Sequence, residues 1–188
     1  MRLEPLSLGH HAALCDVGLD PELWRYSSVR VDSQEAMRAY IEDVLEEWRD
    51  GWSLPFATIE RRSGRVVGST RFTAVERRHR RVEIGATWLA RAYQRTGINV
   101  EAKLLMLRHA FETLGCARVE LKAHALNEQS RRAILALGAK EEGTLRSHMV
   151  LADGSRRDTV YYSILDSEWP EVRRHLEARL ARHAGGGA

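Results

Sequence analysis

Apolar positions along this chain change period several times, and each change marks an element. Arg2 to Ser7 (RLEPLS) reads as a short strand, and Gly9 to Val17 as a helical stretch. Over 32–49, Met37, Tyr40, Ile41, Val44, Leu45 and Trp48 recur at helical spacing. Asp32 or Ser33 serves as the cap, with Glu35 in a capping-box-like position. Tyr40, Trp48 and the nearby Trp52 are expected in the core. After Gly51 the period falls to two, which predicts three successive strands at 52–59, 65–74 and 81–89. Gly97 to Leu114 returns to helical spacing, with Leu104, Leu107, Phe111 and Leu114 on one stripe. Residues 117–125 alternate, Val119, Leu121 and Ala123 against Arg118, Glu120, Lys122 and His124. A short helix follows from Asn127 to about Leu137 and is closed by Gly138. Two strands, 141–151 and 156–165, meet at an Ala152-Asp153-Gly154-Ser155 turn. Pro170 belongs in the first turn of a final helix, with Val172, Leu176 and Leu180 on one stripe.

Meandering strands combined with a strand-helix-strand crossover predict an α/β fold with a mixed, mostly antiparallel sheet of about seven strands flanked by helices. Without an internal repeat or linker, residues 1–183 read as one domain, followed by a disordered tail over 184–188. Composition narrows the class. The chain has 188 residues, 44% apolar and 29% charged, with a net charge of +3. That describes a globular protein, with no run near the ~20 apolar residues of a membrane span. MRLEPLSLGHH lacks the apolar stretch of a secretory leader, and Cys15 and Cys116 lie far apart, so a cytoplasmic location with free thiols is expected. The run Arg77-Arg78-His79-Arg80-Arg81 falls between two strands and carries no interleaved stacking aromatics; a solvated loop is favoured over a nucleic-acid contact. The histidines show no ligand spacing, so no metal is expected.

The stretch LARAYQRTGINVEAKLLMLRHAF, Leu89 to Phe111, carries the chemistry. An apolar strand ends in a polar turn with one glycine and enters a long helix. No Lys-Ser or Lys-Thr pair follows, which excludes a Walker-type loop. A helix start nonetheless offers free amides and partial positive charge, enough to bind a phosphate.

Several further segments join that stretch in a family pattern: Glu83-Ile84-Gly85 with Trp88-Leu89, Gln94-x-x-Gly97-x-Asn99, Asn127-x-x-Ser130-Arg131-Arg132, Leu137-Gly138-Ala139, and Arg157-Asp158 with Tyr161 to Leu165 and Glu168-Trp169. In these the chain resembles the GNAT superfamily of acyl-CoA-dependent N-acyltransferases, in particular the branch of ribosomal-protein N-terminal-alanine acetyltransferases (the Rim type). The resemblance implies a splayed strand pair forming an acyl-CoA cleft. The amides of Arg95, Thr96, Gly97, Ile98 and Asn99, with Gln94, would cradle the pyrophosphate of acetyl-CoA. The strand end at Thr87, Trp88, Leu89 and Ala90 would pair with the pantetheine arm, and Asn127 would touch that arm. Asn99 departs from the pattern, which has a small residue there.

By the same resemblance, direct attack of an amine on the thioester is implied, with no covalent enzyme intermediate. The Leu89 backbone amide is the candidate oxyanion donor. Glu83, a carboxylate in an apolar strand and on the face of Gly85 and Thr87 by alternation, is the candidate base. The alternative is an ion pair with Arg71 or Arg118. Ser130 is the candidate near the departing sulfur, because the tyrosine that many relatives carry four residues before the helix-ending glycine is replaced by Ile134. Trp24, Arg71, Trp88, His148 and Tyr161 are candidates to line the acceptor site. The function implied is acetyl transfer from acetyl-CoA to a primary amine, of a protein N-terminus or a small molecule. A non-catalytic acyl-CoA-binding module of the same fold is the alternative, and monomer and homodimer stay open.

Overall fold

In the computed structural model, which describes residues 1–185, seven strands form one sheet in the order β1-β2-β3-β4-β5-β7-β6. They are β1 (Arg2–Pro5), β2 (Ser53–Ile59), β3 (Val66–Glu76), β4 (Arg81–Leu89), β5 (Arg118–His124), β6 (Lys140–Val150) and β7 (Arg156–Leu165). The α-helices are α1 (His11–Gly18), α2 (Gln34–Arg49), α3 (Ile98–Arg108), α4 (Glu128–Leu135) and α5 (Trp169–Gly185). Every neighbouring strand pair is antiparallel except β4–β5. The mixed, mostly antiparallel α/β architecture is the one expected from the sequence. Helix α5 extends to Gly185, past the expected start of a tail at 184, and residues 186–188 lie outside the described residues.

Local chemistry sets the helix starts. Ser33 caps α2 by accepting the Ala36 N–H at 3.1 Å, and Asn127 caps α4 by accepting the Ser130 N–H at 3.0 Å. Two cores lie on opposite faces of the sheet. On one, Leu104, Leu107, Ile134, Val172 and Leu176 of α3, α4 and α5 pack on Phe72, Val119, Leu121 and Ile164. On the other, Leu14, Met37, Ile41 and Val44 of α1 and α2 pack with Ala57 and Trp88. Each fully buried aliphatic side chain contributes about 1.5–3 kcal/mol, so the stripes dictate which helix face turns inward.

Two parts of the expected core are solvent-facing. Tyr40 is buried, but Trp48 and Trp52 are 45% and 68% exposed. The α2 stripe runs out in its last turn, where the chain reverses at Gly51. Leu114 is 53% exposed because the helix widens into a π turn over His109–Thr113, which rotates later residues off the stripe. Phe111 still stacks on Trp169, ring centroids 5.4 Å apart.

Candidate functional site

Strands β4 and β5 are paired only at Arg81↔Arg118, Val82↔Val119 and Glu83↔Glu120, and their pairing ends there. Just beyond, β4 bulges. Its register against β3 jumps from Arg71↔Gly85 to Ser69↔Trp88, so Ala86 and Thr87 oppose the single residue Thr70, and Ala86 adopts φ +45°. The extra residue reverses the side-chain phase. Val82 and Ile84 face the α3 core before the bulge; Thr87 and Leu89 face α3 after it, and Trp88 turns to α1 and α2. Thr87 therefore leaves the face it shares with Glu83 and Gly85 under strict alternation.

The bulge also sets the backbone direction at the end of β4. Leu89 lies opposite Gly68, while the Ala90 N–H donates to the Val67 carbonyl at 2.9 Å. That is the spacing of a non-hydrogen-bonded antiparallel pair, in which the residue's own N–H and C=O turn away from the partner strand. Leu89 thus presents both groups toward the β5 side. Its carbonyl accepts the Gln94 amide at 2.9 Å, and Gln94 in turn accepts from Gln129 of α4 at 2.9 Å.

From there the chain turns through Arg95 (φ +62°) into Gly97, the α3 N-cap, at φ +89°. Glycine adopts that angle without strain, and with no side-chain cap the first amides of α3 stay free for an anion. Thr96 donates its hydroxyl to the Tyr93 carbonyl at 2.7 Å. Ile98 is buried under β4, and the Asn99 side-chain oxygen is buried without a hydrogen-bond partner. The amides of 95–99 and the outward edge of β4 fit a phosphate-bearing chain that carries peptide-like amides.

Glu83 is 4% exposed, and its carboxylate is 3.0 Å from the Lys122 ammonium of β5. Neither expected partner holds it: Arg71 pairs with Glu47 at 2.7 Å, and Arg118 with Glu120 and Glu142 at 2.9 and 2.6 Å. Gly85 makes room for that carboxylate, since a Cβ there would sit 2.6 Å from Glu83 Oε1. Lys122 lies over the Tyr161 ring, 6.0 Å from its centroid, and His148 meets the same ring edge-on at 5.6 Å. Glu83, Tyr161 and His148 are therefore joined through Lys122 into one polar row across β4, β5, β7 and β6. At its margin His124 accepts the Leu126 N–H at 3.0 Å and packs against Tyr26; burial, then the nearby Arg157 charge, pushes its pKa down and keeps the imidazole neutral.

The remaining candidates separate. Trp24 and Trp88 are buried against each other in the α1–α2 core, ring centroids 5.4 Å apart, and Trp24 donates to the Gly18 carbonyl. Ser130 is half-buried on the first turn of α4, and Ile134 belongs to the core. Surface depressions of about 730 and 530 Å³ lie elsewhere, at the β6 bulge and between α4 and α5. Sequence reasoning missed Lys122 and Lys103. Lys103 of α3 is 4% exposed and donates to Thr70 at 3.1 Å and Thr87 at 2.5 Å. Its signal was present: it is the polar member of the buried stripe Val100, Lys103, Leu107, Ala110. Among the described residues, no group of three His, Cys, Asp or Glu is placed to hold a metal, and no helix is long and apolar enough to cross a membrane.

Residues 1–140 match a family model described as an acetyltransferase (GNAT) domain. The chain is 32% identical over 133 residues to YdaF of Bacillus subtilis (strain 168), provisionally named a ribosomal N-acetyltransferase; the match covers 69% of this chain and 71% of YdaF. An acetyltransferase structure from T. thermophilus superposes with a TM-score of 0.87 at 42% identity, over 95% of this chain and 93% of that one. A GCN5-related N-acetyltransferase from Brucella melitensis gives a TM-score of 0.87 at 29% identity, over 94% and 80%.

Proposed function

This chain belongs to the GNAT acetyltransferase family, an acetyl-CoA-dependent one, and from that premise we propose that it acetylates a primary amine by direct attack on the thioester. One observation carries this reading: β4 and β5 part after Glu83, and the gap leads from that carboxylate along the Leu89 backbone to the free amides at the start of α3. Arg95 to Asn99, with Gln94, hold the pyrophosphate. Thr87 to Ala90 pair with the pantetheine arm, with Asn127 and Ser130 on the opposite wall. The domain comprises residues 1–183.

A neutral amine enters from the row of Lys122, Tyr161 and His148. Its nitrogen forms a bond to the carbonyl carbon as the carbon–sulfur bond breaks. Glu83 takes the amine proton, directly or through water, and the Leu89 N–H steadies the oxygen that gains charge. The departing thiolate takes up a proton, from water or from Ser130. The likeness to YdaF makes the α-amine of a protein N-terminus the first acceptor class to test, with a small-molecule amine second. An α-amine is partly neutral near pH 7.7–8.0, so a weak base suffices.

Calorimetric titration with acetyl-CoA, followed by thiol release with an alanyl or seryl N-terminal peptide, spermidine and a free amino acid, tests the proposal. Micromolar binding and turnover of one amine class support it. Binding without turnover of any amine points to the non-catalytic module, and no binding overturns the cofactor assignment.

A further inference from the structure

We infer that Lys103 is a positioning residue for acyl transfer: by tying Thr87 to Thr70 it holds the β4 bulge, and so keeps the Leu89 backbone turned into the gap. The inference rests on the acetyl-transfer reading above. Thr70 is the β3 residue that faces the two bulged residues, and Thr87 is the second of those two. Lys103 Nζ reaches both hydroxyls, at 3.1 and 2.5 Å, and the hydroxyls are 2.7 Å from each other. Thr87 Oγ1 also lies 3.3 Å from the Gly85 carbonyl, so the knot spans the strained Ala86 from both sides. A left-handed alanine costs roughly 1–2 kcal/mol, a standing drive to flatten the bulge. Flattening shifts the register by one residue and turns the N–H and C=O of Leu89 back onto β3.

The tie also fixes a length. Lys103 stands six residues into α3 from Gly97, about 9 Å along the axis. One stretch of helix thus couples the phosphate-binding turn to the bulge, at the two ends of the β4 segment assigned to the pantetheine arm. Packing alone does not explain a lysine here. An ammonium buried among two hydroxyls and the Met106 sulfur, with no carboxylate among its contacts, is less favourable for folding than an apolar chain of similar length. The residue lowers stability where the chemistry needs a fixed strand, as functional positions often do.

Lys103→Met, Thr87→Val, Thr87→Ser and the Lys103→Met/Thr87→Val double variant are compared with the wild type. Thermal melting, calorimetry with acetyl-CoA, and thiol release with the best acceptor from the panel above are measured for each. Lys103→Met is expected to melt no lower than wild type and to bind acetyl-CoA within about threefold. Its kcat should fall at least tenfold at unchanged acceptor KM. Thr87→Val should match that loss, Thr87→Ser should keep kcat within about threefold, and the double variant should be no worse than either single. Wild-type kcat in Lys103→Met overturns the inference. So does a Lys103→Met variant that loses melting temperature and acetyl-CoA binding along with kcat, because that is a folding role. A wild type that neither binds acetyl-CoA nor releases thiol defeats the parent reading and this inference together, and it is told apart by failing before any substitution.

Discussion

Glu83 and Lys122 meet at 3.0 Å where β4 and β5 are about to part, Glu83 in the last paired position and Lys122 two residues beyond its partner Glu120. The pair closes the narrow end of the gap. It also explains how an almost fully buried carboxylate is tolerated in an apolar strand: its charge is compensated from the neighbouring strand, with the solvent-reachable side at Lys122. Glu83→Gln keeps the shape and a hydrogen bond to Lys122 but removes the base. Its kcat should fall by about 100-fold or more with acetyl-CoA binding unchanged. An active Glu83→Gln enzyme rules out Glu83 as the base.

Lys122→Met leaves that carboxylate buried without its partner, and should cost roughly 1–3 kcal/mol in urea unfolding. Combining it with Glu83→Gln should recover part of the loss, since the uncompensated charge is gone. Equal destabilisation of the single and double variants removes the ion pair from the account.

Gly85→Ala places a Cβ where the Glu83 carboxylate now lies, 2.6 Å from its oxygen. The side chain is flexible and swings aside, so stability should change little. A displaced base loses its reach, and a tenfold loss of kcat, about 1.4 kcal/mol, is expected. Steady-state kinetics beside a melting curve separate the two effects, and unchanged kcat contradicts the assignment of that carboxylate.

At the other end of the gap, Gly97→Trp forces a large side chain onto a φ of +89°, and Asn99→Glu brings negative charge to the anion-facing turn. Both should weaken acetyl-CoA binding by more than about 30-fold, some 2 kcal/mol, in calorimetry. Wild-type affinity in both variants removes the phosphate from this loop.

The strands and helices were legible in the sequence because each buries a stripe of one period. β5 shows this best, with Val119, Leu121 and Ala123 at 0%, 2% and 4% exposure. The cofactor loop was legible because Gly97 sits at a helix start. The bulge was not, because Ala86 lies in Gly85-Ala86-Thr87-Trp88 with no turn chemistry around it, and only the β3 register creates it. The phase of everything after it, Thr87 included, followed that error. Nor could the partner of Glu83 be read, since it depends on how β4 and β5 align across the 28 residues from Leu89 to Cys116, helix α3 included. Lys103 was hidden by its own stripe, where a lone lysine looks like a residue reaching for solvent.

That buried lysine gives a pH signature. Burial alone pushes the Lys103 ammonium down to about 7 from an ordinary 10.5, and the groups facing it are Thr70, Thr87 and Met106. Between pH 7 and 10.5 the unfolded chain therefore carries a proton that the folded chain has released. Stability contributed by this site rises with pH across that window, by up to about 1.4 kcal/mol per pH unit, and is flat and least favourable below it. Cys15, Cys116 and Tyr40 act in the opposite direction at high pH, because burial raises their pKa values in the fold. Those contributions are common to Lys103→Met and cancel in the difference. Urea unfolding of wild type and Lys103→Met from pH 6.5 to 9.5 should show the variant's advantage shrinking as pH rises. A constant difference means that Lys103 keeps its proton throughout, with the hydroxyls of Thr70 and Thr87 sufficient to hold the charge.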